Sequence, residues 1–274
     1  MAAHPPPPTD FAKLSFPAPG VLLATFSRPE KLNCMGGADV LELTKIFRWF
    51  DDEPSLIAAV ITGAGKKAFS TGADLKEWQS KVSTAAKPGA GPGDVPGAVP
   101  LSNRSGKKPI IAAVNGLALG GGCEMVVNCD LVIAADTAMF GLVEVKRGVA
   151  PYAGVLPRLI RTMGLQRASE MALTGKYYSA QQMMEWGIVN KVVPQTDVVN
   201  EAVEYAKLIA ENSPDSVICT RAGLRQGWET ASVVEATALT KRTEWAELQT
   251  GENILEGLKA FKERRRPVWR PSKL

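Results

Sequence analysis

Gly120-Gly121-Gly122-Cys123-Glu124 sets three consecutive glycines directly before a carboxylate. Without Cβ atoms this backbone admits a ligand closely, and free N–H groups at a helix start can face developing negative charge. That is the composition of an oxyanion hole. The same residues also read as a tight strand-to-helix turn in which Glu124 complements the helix dipole. A second candidate donor loop is Phe69-Ser70-Thr71-Gly72-Ala73-Asp74, where Gly72 and Ala73 permit close approach and Asp74 can cap a helix beginning at Leu75. Further on, Glu144 lies between Val143 and Val145, either as an exposed strand residue or as a buried acid. The single histidine, His4, sits in a proline-rich tail with no expected packing, so His-based triads and His-ligated zinc lack their parts. Acid–base work then falls to carboxylates, Lys, Tyr or Cys.

These groups need elements to hold them. Gly20 to Phe26, Ala58 to Thr62, Ile110 to Val114 and Leu131 to Ala135 are short apolar, β-branched runs suited to strands. Ala38 to Phe50 places its apolar residues along a helical stripe. Strands alternating with helical stretches predict an α/β fold. Lys87 to Pro100 is too rich in Gly and Pro for either element and reads as a long mobile loop. From Asp197 the pattern turns helical: Val198 to Asn212, Ser216 to Gly227, Ala231 to Gln249 and Glu252 to Arg264. The expected organisation is a core over residues 1–196 carrying the site and a helical region over 197–274.

Composition narrows the class. With 45% apolar and 22% charged residues the chain reads as an ordinary globular protein, and no apolar run reaches the ~18 residues of a membrane span. The 32 basic and 28 acidic residues lack the concentrated block of a nucleic-acid arm. Four cysteines without a CxxC pair fit reduced thiols better than a disulfide scaffold. Ser272-Lys273-Leu274 matches the tripeptide read by the peroxisomal import receptor at a free carboxyl terminus, so peroxisomal localisation is expected.

The runs STGADLKEW, VNGLALGGGCEMVVNCDLVIAAD, FGLVEVKRG, LTGKYYSAQQMMEWGIVNKVV and FKERRRPVW resemble, in order and spacing, the enoyl-CoA hydratase/isomerase (crotonase) family, from about Leu14 to Trp269. The resemblance implies a spiral of ββα units with a C-terminal helical region that builds homotrimers, commonly paired as hexamers. It implies that the amides of Ala73 and Gly121 bind a thioester oxygen. Leu32, Ala73, Asp74 and Leu75 then lie along coenzyme A, which enters as part of the acyl-CoA substrate. Neither a metal nor a redox cofactor is implied. Glu124 and Glu144 match the two glutamates that hold a water in hydratases, which favours hydration or dehydration over isomerisation.

The chain departs from the family after Gly148-Val149-Ala150-Pro151. Tyr152-Ala153-Gly154-Val155-Leu156-Pro157-Arg158-Leu159 replaces a glycine-rich stretch, so Tyr152 is expected in the acyl pocket and a branched acyl group such as mevalonyl is a candidate. The non-enzyme alternative is RNA binding through Lys262, Arg264, Arg265 and Arg266. That run reads equally as a solvated helix face or as a contact for coenzyme A phosphates on a neighbouring subunit.

Overall fold

The computed structural model describes residues 4–84 and 100–274. Six strands form the main sheet in the order β1 (Ala12–Ala18), β2 (Val21–Phe26), β3 (Ala58–Gly63), β5 (Ile110–Val114), β7 (Leu131–Ala135), β10 (Lys191–Val193). Only the β1–β2 hairpin is antiparallel; every later pairing is parallel. All residues of β3 and β5 are buried. A parallel strand covered on both faces needs a continuous apolar run, which is what AAVITG and IIAAV supply.

A second, four-stranded sheet is built from β4 (Ala68–Ser70), β6 (Leu117–Leu119), β8 (Met139–Gly141) and β9 (Tyr178–Ser179). β4, β6 and β8 pair in parallel, with Ala68 opposite Leu117 and Leu117 opposite Met139. The chain repeats one move: a strand in the large sheet, a strand in the small sheet, then a helical turn. β3 and β4 lead into α2 (Leu75–Thr84), β5 and β6 into α3 (Gly121–Asn128), and β7 and β8 into a 3-10 turn at Glu144–Arg147. The ββα spiral expected from the resemblance is therefore present. Three consecutive segments emerge side by side from the same end of the small sheet.

Side-chain amides fasten the crossings between sheets. Asn115 Nδ2 donates to Gly63 O at 2.8 Å and Gly65 O at 2.9 Å, and Asn33 Nδ2 donates to Ala64 O at 3.1 Å and Ala68 O at 2.9 Å. Outside the sheets, α1 (Gly37–Asp52) buries Leu43, Ile46, Phe47 and Phe50, the i, i+3, i+4, i+7 stripe of an amphipathic helix. Lys108 closes the end of α1 from inside, its Nζ donating to Phe50 O at 2.9 Å and Glu53 O at 2.6 Å.

α4 (Val155–Met163), α5 (Leu165–Thr174) and α6 (Ala180–Glu185) precede β10, and α7 (Val198–Ala210) packs across the main sheet. α8 (Pro214–Glu229) is anchored through Arg221, whose Nε lies 3.0 Å from Asp130 Oδ1. α9 (Val233–Arg242), α10 (Glu244–Leu248) and α11 (Glu252–Glu263) complete the helical region. Among the described residues no helix is long and apolar enough to cross a membrane.

Several expectations need correction. The helix expected over Ala231 to Gln249 is two, broken at Thr243, whose φ of −100° and ψ of −106° leave the helical region. β1 was not anticipated, and neither were the strands of the second sheet, because runs of two or three residues show no periodicity. His4 is exposed, as expected of the tail, but it is tethered: its backbone N donates to Glu53 Oε2 at 2.8 Å, and Nδ1 lies 3.1 Å from the same oxygen. A proline-rich segment makes few internal hydrogen bonds, which leaves its amides for a buried carboxylate. The expected loop from Lys87 to Pro100 lies outside the described residues except at Pro100.

Burial lowers Lys108 from 10.5 to about 8. Between these values the unfolded chain binds more protons at this site than the folded one, so stability should rise with pH there. The denaturant midpoint of the wild type, relative to Lys108→Met, should increase as pH is raised from about 8 to about 10. A pH-independent difference would show that the ammonium is not desolvated.

Candidate active site

The loop after β4 and the start of α3 approach each other as bare backbone. A Cβ on Gly72 would stand 2.6 Å from Gly121 N, and one on Gly122 would overlap the Ser70 carbonyl. Gly72 also holds φ +80°, a conformation that disfavours any side chain. Met35 fastens this loop from the other side, its N donating to Gly72 O at 2.8 Å and its O accepting from Asp74 N at 2.8 Å. Such a parallel bridge engages the groups flanking Ala73 and turns the Ala73 amide the opposite way. Gly121 is the first residue of α3, so its N–H is one of the orphan donors of a helix start. Both residues line one cleft of about 330 Å³.

Glu124 enters that cleft from the first turn of α3 and is buried. Its Oε1 accepts from Ala153 N at 3.1 Å. Burial and the charge of Glu144 push Glu124 up to about 7, while the Ala153 amide and the Arg158 guanidinium act in the opposite sense. Glu144 opens the 3-10 turn rather than sitting in a strand, with its C-cap Gly148 at φ +72°. Burial raises its carboxyl as well. Its Oε2 is buried and meets no protein donor among the described residues. Both glutamates line the cleft. Each carboxyl thus meets one backbone amide that favours charge, Ala153 for Glu124 and its own for Glu144, while burial raises both.

The remaining expected residues are placed as follows. Asp74 caps α2, its Oδ1 accepting from Lys76 N at 3.0 Å and Glu77 N at 3.3 Å. Burial works against its charge, but these amides hold its carboxyl below the usual range. Leu75 is exposed on the cleft wall, joined one turn later by Trp78, which sequence reasoning passed over although its i+3 spacing marks the same helix face. Tyr152 lines the cleft near Glu124, whose charge, together with burial, raises its hydroxyl. Leu32 stands outside the lining in the left-handed region at φ 52°, its carbonyl accepting from Thr71 N at 3.2 Å.

Ser272, Lys273 and Leu274 lie away from the cleft lining, docked on the chain's own surface. Ser272 Oγ bonds Asp215, Lys273 Nζ pairs with Glu252 at 2.6 Å, and Lys107 Nζ donates to Leu274 O at 3.3 Å. In the basic run, Arg265 is paired with both Glu256 and Glu263 at 2.6 Å. Among the described residues no group of three His, Cys, Asp or Glu side chains is placed to hold a metal ion.

Two converging amides beside two carboxyls define a site for carbonyl chemistry, in which charge forms on an oxygen while a proton moves. The comparisons with known proteins give that class a family. Residues 18–272 match the sequence profile described as Enoyl-CoA hydratase/isomerase. Along its full length the chain is 49% identical to all of a mevalonyl-coenzyme A hydratase of Aspergillus fumigatus. It is 50% identical to a mevalonyl-coenzyme A hydratase of Beauveria bassiana, with 98% of each chain covered. A carnitinyl-CoA dehydratase of Escherichia coli K12 is 36% identical over 91% of this chain and 95% of its own. Among solved structures, an enoyl-CoA hydratase from Bacillus anthracis superposes with a TM-score of 0.84 at 31% identity, covering 96% of this chain and all of the other. The chain belongs to the enoyl-CoA hydratase/isomerase family, and its substrate is an acyl-CoA thioester.

The close packing of the donor loops is open to test. Gly122→Ala should separate them, lowering turnover at least ~10²-fold through lost oxyanion contacts. Overpacking should also reduce the unfolding free energy by about 1–3 kcal/mol. Steady-state kinetics and denaturant titration measure the two effects, and wild-type turnover would show that the approach is not required.

Proposed function

We propose that this protein is a hydro-lyase that interconverts a 2-enoyl-CoA and its 3-hydroxyacyl-CoA, acting on a branched acyl group of the mevalonyl kind. The observation that carries the reaction is the convergence of Glu124 and Glu144 with Ala73 and Gly121 on one cleft. The branched acyl group rests on near 50% identity, end to end, to two mevalonyl-coenzyme A hydratases, and on Tyr152 at the cleft wall.

In the hydration direction, Glu124 as carboxylate removes a proton from water while the water oxygen bonds to the β carbon. The π electrons of the enoyl group move onto the thioester oxygen, where the amides of Ala73 and Gly121 stabilise the enolate. The enolate then reforms its carbonyl as the α carbon takes the proton of Glu144. Dehydration retraces these steps. The Ala153 amide favours the charged form of Glu124, and the unpartnered Oε2 favours the neutral form of Glu144, so one proton shared by the pair supplies both roles. A value of about 7 for Glu124 suits a base at neutral pH. The reaction requires neither a metal nor a redox cofactor.

Two wider features complete the proposal. The helical region leaves Leu224, Val233 and Val234 exposed, which supports association into homotrimers or hexamers. The tripeptide Ser272-Lys273-Leu274 supports peroxisomal import, and its contacts with Asp215 and Glu252 must release for a receptor to bind it.

Glu124→Gln and Glu144→Gln should each lower turnover at least ~10²-fold with thioester binding retained. A panel of crotonyl-CoA, a medium-chain 2-enoyl-CoA and a branched 3-hydroxyacyl-CoA, followed by the conjugated thioester absorbance, should show activity on the branched compound. Near-normal turnover in the glutamate variants rejects the mechanism, and activity confined to the straight chains rejects the branched acyl group. For the address, a fluorescent reporter ahead of residues 267–274 should enter peroxisomes and become cytosolic when Ser272 to Leu274 are removed; an unchanged distribution rejects that role.

A further inference from the structure

Arg158 stands on the first turn of α4 with its side chain 11% exposed. Its Nη1 donates to Ser102 O at 2.7 Å and reaches Ala153 O at 3.5 Å, and its Nη2 donates to Asn103 Oδ1 at 3.1 Å. The guanidinium lies so close over Gly154 that a Cβ there would overlap Nη1, and Gly154 itself holds φ +93°. Trp228 covers the other side, with the guanidinium carbon 5.7 Å from its ring centroid. The nearest paired carboxylate, Glu229, is 3.9 Å away and more than half exposed. A buried cation held chiefly by neutral oxygens is a poor device for stability, since its desolvation is not repaid by a close counter-charge. Held by Ser102 and Asn103, the fork lies against the Ala153–Gly154 peptide, at 3.5 Å from its oxygen and packed on Gly154, and the neighbouring N–H at Ala153 bonds Glu124.

We propose that Arg158 is the positioning residue of the catalytic pair: by clamping the Ala153–Gly154 peptide against Ser102 and Asn103, it fixes the amide that orients Glu124. The inference rests on the acid–base reading of Glu124 and Glu144. It assigns Arg158 no contact with substrate. Its positive charge also acts on Glu124 in the same sense as the amide, toward the ionised form. The other titratable groups facing Glu124 are Glu144 from the turn after β8, Tyr152 from the loop before α4, and Cys123 on its own helix. Those facing Arg158 are Glu229 and Arg225 of α8. Removing Arg158 therefore makes Glu124 harder to ionise, and removing the Glu229 charge makes it easier.

The test is the pH profile of kcat/KM in the hydration direction, on whichever 2-enoyl-CoA the wild type turns over. Arg158→Met should move the acid limb up by about one pH unit and lower kcat about 10-fold, with KM within about 3-fold. Arg158→Lys retains the charge without the fork, so it should restore the limb but not kcat. Glu229→Gln should move the limb down by a few tenths of a unit. An acid limb unmoved in both Arg158→Met and Glu229→Gln overturns the proposal, including when kcat falls only in step with a lower Tm. If Arg158→Met fails to fold, Arg158→Lys decides: wild-type kcat there, with the fork lost and the charge kept, overturns the proposal. Near-normal turnover of Glu124→Gln and Glu144→Gln would instead reject the acid–base reading itself. Inactive glutamate variants with unmoved limbs in the other two reject only the role of Arg158.

Discussion

The contact on which the rest depends is the approach of two stretches of backbone, Ser70 to Gly72 against Gly121 and Gly122. An oxyanion is best stabilised by donors that are already in place when charge forms, because then no reorganisation accompanies the reaction. Backbone amides of packed loops meet that condition better than side chains with rotatable bonds. The requirement propagates outward. Gly72 and Gly122 must lack Cβ atoms, Met35 must bridge the first loop, and β4 and β6 must be neighbours for their ends to meet.

A second constraint comes from burying two carboxyls in one cleft. Desolvation raises both, and the charge of Glu144 raises Glu124 further, to about 7, so Glu124 keeps a proton toward neutrality that an isolated glutamate would lose. Ala153 bonds Glu124 Oε1 and no protein donor meets Glu144 Oε2 among the described residues, so two residues of one type stand in different surroundings.

Parts of the fold could be read directly. Ile110 to Val114 and Leu131 to Ala135 are strands with the bounds expected, because a strand covered on both faces must be apolar throughout. Asp74 caps α2 as its position before Leu75 implies. The small sheet was not legible, since strands of three residues carry no period, and neither was the break at Thr243 inside an otherwise helical pattern. The tether of the exposed His4 was not legible because its partner, the buried Glu53, is distant in the chain.

By itself the sequence determined the chemical inventory: glycines where backbone must be bare, two glutamates and no histidine beyond His4, and alternating strands and helices able to present them. Their arrangement was decided only by the tertiary structure. Gly72, Gly121 and Glu144 meet because β4, β6 and β8 pair in parallel across long intervening segments, a register set by packing of the whole core. The roles of the glutamates are likewise tertiary, because a carboxyl's proton affinity depends on the water it loses and the amide it gains. Ala153 and Arg158 carry no mark of their own in the chain; their contacts with Glu124 and with each other arise only where the loop before α4 folds over Glu124.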